Sequence, residues 1–120
     1  MTFKGKYYSK LFQDKQYLEF TRKQLFKNTE YFRQFSNFLS LKTNDTVCDL
    51  GCGTGFLDFE LIGKFPTIKI FALDNDQDYI EYANKKLNST ELPRLNFQNH
   101  DLNNPLPFTS NSFNVVYSFG

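Results

Sequence analysis

The residues whose types and spacing could do chemistry are Asp49, Gly51, Gly53, Gly55, Asp74 and Asp101. The stretch Thr46-Val47-Cys48-Asp49-Leu50-Gly51-Cys52-Gly53-Thr54-Gly55 reads as a short buried strand running into a glycine-rich turn. Glycine lacks a Cβ, so it can take positive φ and let a ligand lie against bare peptide. Three glycines at alternate positions therefore describe a cradle for a cofactor, and Asp49 adds a fixed charge at the strand's end.

Regular elements must position these groups. Phe56, Phe59, Leu61 and Ile62 predict a short helix after the turn, stopping at Gly63 and Pro66. Residues 68–73 predict a second strand ending on Asp74, and Asp76 can cap a helix from Gln77 to Leu87. Pro93 precedes a third strand, Leu95 to His100, which ends on Asp101; residues 113–118 predict a fourth. Strands alternating with helices predict a parallel sheet with right-handed crossovers. Ahead of this, residues 7–27 carry Leu11, Leu18 and Leu25 at sevenfold spacing, which predicts a helix. Asn28 or Thr29 can cap a second, with Phe32, Phe35 and Leu39 on one face.

Composition supplies bounds. At 120 residues, 40% hydrophobic and 22% charged, the chain fits one small globular domain. A net charge of +1 argues against a wholesale polyanion binder, so nucleic acid is not the favoured partner. The charge is uneven: residues 1–45 hold nine Lys/Arg to four Asp/Glu, residues 46–120 five to nine. A basic arm ahead of an acidic body could face an anionic substrate, a membrane surface or nucleic acid, but a solvated helical face explains it more simply. Cys48 and Cys52 read as free thiols in a reducing compartment, and with one histidine, His100, a metal site is not expected. No run approaches the ~20 apolar residues of a membrane span. These features predict a soluble cytoplasmic protein.

In an open α/β sheet, ligands bind beyond the carboxyl ends of the strands. Asp49, the glycine turn, Asp74, Asp101 and Ser118 would converge there. Asp74 lies 19 residues beyond Gly55, a spacing at which an acid reaches a ribose hydroxyl pair. The dinucleotide fingerprint requires a third small residue where Phe56 stands, and Asp49 would lie close to a pyrophosphate. A cofactor without phosphates and with a positive centre fits better, its carboxylate favoured at the helix N-terminus. That points to S-adenosyl-L-methionine.

Residues 47–55 resemble the first motif of class I S-adenosylmethionine-dependent methyltransferases, most nearly the "type 11" group that includes quinone-biosynthesis enzymes. Residues 73–83 are similar to the family's second-strand block, residues 97–101 to its third-strand block, and residues 106–116 to the segment entering its fourth strand. The resemblance spans residues 46–120. It implies that Gly51, Cys52, Gly53 and Gly55 cradle the methionine part, and that Asp49 fixes the turn or meets its amino group. Asp74, with Asn75, would bind the ribose; Asp101, with Leu102, would take the adenine amino group; Ser118 would lie at the fourth-strand end. Tyr79 or Ile80 would cover the adenine or serve as helix core. His100, where the family often has Gly, reads as a loop residue beside the adenine rather than a base. Asn114 replaces a common Asp at a turn.

The resemblance implies a Rossmann-like parallel sheet in order 3-2-1-4 with N-terminal helices, cut off after the fourth strand of a seven-stranded family fold. Residues 1–45 would be a helical arm and residues 46–120 an incomplete cofactor-binding domain, so a fragment, or a chain completed by a partner supplying the missing strands, is expected. Residues 118–120 lack the Asn/Asp-Pro-Pro-Tyr/Phe signature of amino-methylating enzymes acting on DNA bases or glutamine, which favours a small-molecule methyl acceptor. No catalytic residue is identified. The alternatives are a non-catalytic cofactor- or partner-binding module and, weakened by Phe56, a nicotinamide oxidoreductase.

Overall fold

Four short parallel strands set the frame of the computed structural model, which describes residues 29–118. In chain order the elements are α1 (Thr29–Leu39), β1 (Thr46–Leu50), α2 (Phe56–Lys64), β2 (Lys69–Asp74), α3 (Gln77–Lys86), β3 (Leu95–Asn99) and β4 (Val115–Tyr117). The sheet order is β3-β2-β1-β4, as the resemblance implies. The helix expected over residues 7–27, and with it most of the arm, lies outside the described residues.

Register decides which side chains meet the helices. Val47 pairs with Ile70 and Val115, Ile70 with Leu95, Asp49 with Ala72 and Tyr117, and Ala72 with Phe97. Side chains alternate along a strand, so these residues share one face. On it the apolar ones join Leu39 of α1, Leu57, Leu61 and Ile62 of α2, and Ile80 and Ala83 of α3 in the main core. The opposite face carries Phe71, packed edge-on against Phe108 and Phe113 from the long loop before β4. Val116 on that face is 52% exposed.

Chain ends of the elements have identifiable causes. The Asp76 carboxylate accepts the N–H groups of Asp78 and Tyr79 and so caps α3. α2 continues through Gly63 and ends at Lys64, between the two expected breakers Gly63 and Pro66. Beyond it the Arg94 guanidinium donates to the carbonyls of Ile62, Phe65 and Ile68 at 2.9, 2.8 and 3.1 Å. One planar cation thus satisfies carbonyls that a helix end leaves over. At the start of β4, Asn114 exchanges two 2.8 Å bonds with Thr46: its N–H donates to the Thr46 carbonyl and its side-chain oxygen accepts the Thr46 N–H. Asn114 therefore pins β4 to β1, which is more than a variation in a turn. No helix among the described residues is long and apolar enough to cross a membrane.

Candidate functional site

The glycine turn bridges β1 and α2. Its first two N–H groups, from Gly51 and Cys52, both donate to the Leu73 carbonyl at 2.8 and 2.9 Å, extending the β1–β2 ladder. Gly51, Gly53 and Gly55 all have positive φ, at 81°, 59° and 77°. That is the left-handed region which side chains disfavour.

The glycines nonetheless have different surroundings. A Cβ on Gly51 would meet only the Ser118 hydroxyl, at 4.0 Å, so space is open beside it. A Cβ on Gly55 would collide with the Phe97 ring. Gly55 thus lets α2 settle on β3, while Gly51 leaves room for a ligand. Gly55 is also the N-cap of α2, and it offers no side-chain acceptor to the helix's first N–H groups. A carboxylate would be favoured there.

Asp74 stands at the end of β2. One of its oxygens accepts the Gly53 N–H and the other the Asp76 N–H, each at 2.8 Å. The carboxylate therefore ties the glycine turn to the start of α3. Each oxygen keeps a further lone pair, which suits a vicinal diol. Next to it, Asn75 is exposed and Tyr79 half-buried. His100 donates its backbone N–H to the Asp74 carbonyl at 2.9 Å and so draws the end of β3 to the same rim. Asp101 and Leu102 are exposed beyond it, with Asp101 turning the loop by accepting the Asn103 N–H at 2.9 Å. Ser118 is exposed at the end of β4. The rim thus gathers expected residues from all four strand ends.

Asp49 does not open to this rim. It is 2% exposed and shares the helix-facing side of the sheet with Tyr117. Beneath the turn lies a buried polar pair that local sequence pattern does not identify: the Tyr117 hydroxyl donates to Asp58 of α2 at 2.7 Å. Burial, reinforced by the Asp58 and Asp49 carboxylates, raises the Tyr117 phenol well above its ordinary range. Cys52, also buried, is raised first by desolvation and then by the Asp58, Asp49 and Asp74 carboxylates. Cys48 is pushed up to about 11, chiefly by burial and secondarily by Asp49 and Asp58. Neither thiol is poised as a nucleophile. One signal did exist for Asp58, a carboxylate among Leu57, Leu61 and Ile62 on the apolar side of a short helix.

Among the buried polar atoms of this region without a hydrogen-bond partner are the Thr54 hydroxyl in the turn and Nε2 of His100 at the β3 end. Such atoms usually find a partner in a ligand or water. Together with the open Gly51 and the diol-ready Asp74, they fit S-adenosyl-L-methionine.

Residues 41–120 match the family model described as a methyltransferase domain. Malonyl-[acyl-carrier protein] O-methyltransferase 1 of Ilyobacter polytropus is 31% identical over 77 residues, covering 64% of this chain and 27% of that protein. Demethylmenaquinone methyltransferase of Lactobacillus johnsonii is 31% identical over 86 residues, covering 70% and 35%. Among solved structures, one from Methanococcus maripaludis assigned to the S-adenosyl-L-methionine-dependent methyltransferases superposes with a TM-score of 0.73 at 23% identity, covering 91% of this chain and 50% of that one. The chain spans about a quarter to a third of the length of the curated relatives it matches. With four strands in the family's order and the glycine turn at their centre, the chain belongs to the class I S-adenosylmethionine-dependent methyltransferases.

Proposed function

We propose that this chain is the cofactor-binding portion of a methyltransferase whose acceptor is a small molecule. The observation that carries the reading is the bond between Asp74 and Gly53, which sets a carboxylate suited to a ribose directly against the glycine turn. In this reading Gly51, Cys52, Gly53 and Gly55 present backbone to the methionine part and Asp49 supports the turn from beneath. Asp74 and Asn75 hold the ribose, Tyr79 lies over the adenine, Asp101 and Leu102 bound its amino group, and Ser118 lines the open side of Gly51.

When bound, S-adenosyl-L-methionine supplies an electrophilic methyl on a sulfonium. The chain's own contribution is orientation: methyl transfer is an in-line displacement whose rate depends on holding the reacting atoms in line. The low exposure of the turn also keeps water from its inner side.

A small acceptor is supported by the relatives, whose names specify a malonyl group on a carrier protein and demethylmenaquinone. A complementing chain supplying further strands beside β4, and a cytoplasmic location, belong to the same proposal.

Calorimetric titration with S-adenosyl-L-homocysteine and with NADH tests the cofactor. Binding of the former and not the latter is expected, and tighter binding of NADH would overturn the assignment. Methyl transfer to a panel of small carboxylic and phenolic acceptors then separates turnover from binding alone.

A further inference from the structure

Tyr117 is the last residue of β4, and three segments meet on it. Its hydroxyl crosses to Asp58 in the first turn of α2, 59 residues away in sequence, at 2.7 Å. Phe35 of α1 packs edge-on against its ring, with centroids 6.0 Å apart and planes at 83°. The next residue, Ser118, lines the open side of Gly51. The glycine turn therefore lies between two pieces of chain, the start of α2 and the end of β4, that this buried bond joins.

An apolar pair would fill the same volume. Replacing a buried hydrogen-bonded pair by apolar groups of similar shape is often neutral or stabilising, so packing alone does not account for a phenol and a carboxylate here. What the polar pair adds is direction: an O–H to carboxylate bond fixes distance and angle, whereas apolar surfaces slide. Asp58 lies three residues after Gly55, so any shift of Asp58 is passed to the turn through one rigid turn of helix.

We infer that Tyr117 is a positioning residue, its bond to Asp58 holding the glycine turn in the shape that receives the cofactor. The inference rests on the reading of that turn as the cofactor cradle. Tyr117→Phe keeps the ring and its contact with Phe35 and removes only the donor. Asp58→Leu removes the acceptor and keeps roughly the side-chain volume.

Both variants of the full 120-residue chain are compared with the wild type by amide hydrogen exchange without cofactor and by titration with S-adenosyl-L-homocysteine. Exchange at residues 51–54 should accelerate by about three- to tenfold in Tyr117→Phe, with α3 unchanged, and affinity should fall by a similar factor. The double variant should bind no more weakly than the weaker single variant, because removing the second partner of a bond already lost costs nothing further. Asp58→Leu, with the same outcomes expected, decides the matter if Tyr117→Phe does not fold. A lowered unfolding temperature with unchanged exchange at the turn and unchanged affinity would reduce the pair to core packing and overturn the inference. If the wild type fails to bind the probe, the cofactor reading falls, while the exchange result still decides whether the bond holds the turn.

Discussion

The Asp74 carboxylate accepts the backbone N–H of Gly53 at 2.8 Å across 21 residues of chain, so the acid proposed for the ribose and the turn proposed for the methionine are one hydrogen-bonded unit. The acid therefore maintains the cradle before any ligand arrives.

Asp74→Ala should therefore do two things. Cofactor affinity should drop by about ten- to a hundredfold, corresponding to about 1.5–3 kcal/mol for lost charge-assisted bonds. Exchange of the Gly53 amide should rise even in the free chain. A 2′,3′-dideoxy analogue separates the roles: it should bind wild type and variant with nearly equal affinity if the ribose contact dominates. Unchanged affinity for S-adenosyl-L-homocysteine would refute the ribose role.

Gly55→Ala should destabilise the chain by about 2–4 kcal/mol, because the new methyl both strains a left-handed backbone and strikes the Phe97 ring. Adding Phe97→Leu should recover the steric part but not the backbone part. Urea unfolding of the two variants measures the split. Gly63 lies in the last turn of α2, and a methyl added there would meet no atom within 4 Å, so Gly63→Ala should stabilise by a few tenths to about 1 kcal/mol.

Arg94→Ala should lower stability by about 2–3 kcal/mol, since three carbonyls lose a charged donor. Arg94→Lys should recover only part of this, as a single ammonium cannot span the same three acceptors. Equal urea midpoints for wild type and Arg94→Ala would show that water replaces the guanidinium without loss.

Alkaline pH should weaken the fold before it affects any surface ion pair. Cys48, Cys52 and Tyr117 all have folded-state pKa values above their ordinary ones. Below the unfolded-state values, roughly pH 8.5 for the thiols and pH 10 for the phenol, each group is neutral in both states and its contribution is intact. Above them, the unfolded chain releases protons that the folded chain retains, so stability falls as pH rises, first through the two thiols and then through Tyr117. Unfolding midpoints between about pH 8 and pH 11 should decline accordingly, and Tyr117→Phe should flatten the upper part of the curve. Thiol-specific reagents should label neither cysteine until the chain unfolds.

Much of this was legible in the residues. Periodicity separated the strands from the helices because the buried positions, such as Ile70 and Ala72 on one side and Ile80 and Ala83 on the other, follow periods of two and about 3.6. Asp76 announced the start of α3 by type and position. What stayed hidden depends on contacts between distant segments. Nothing near Arg94 in sequence indicates that its guanidinium will close the end of α2, or that Asn114 will pair with Thr46. Local pattern gives the face a side chain occupies; it does not give the partner across the fold. Asp49 shows the same limit, since a residue at the rim by sequence is turned beneath it by strand alternation.

The unlike surroundings of Gly51 and Gly55 bear on how such chains age. A lineage that abandoned its cofactor would release Gly51 from any ligand, yet the Phe97 ring would still forbid a larger residue at 55. The last glycine of the motif would then persist as a relic of packing. A sequence showing it with a residue that tolerates positive φ, such as Asn, at 51 would record an ancestry of methyl transfer without its practice.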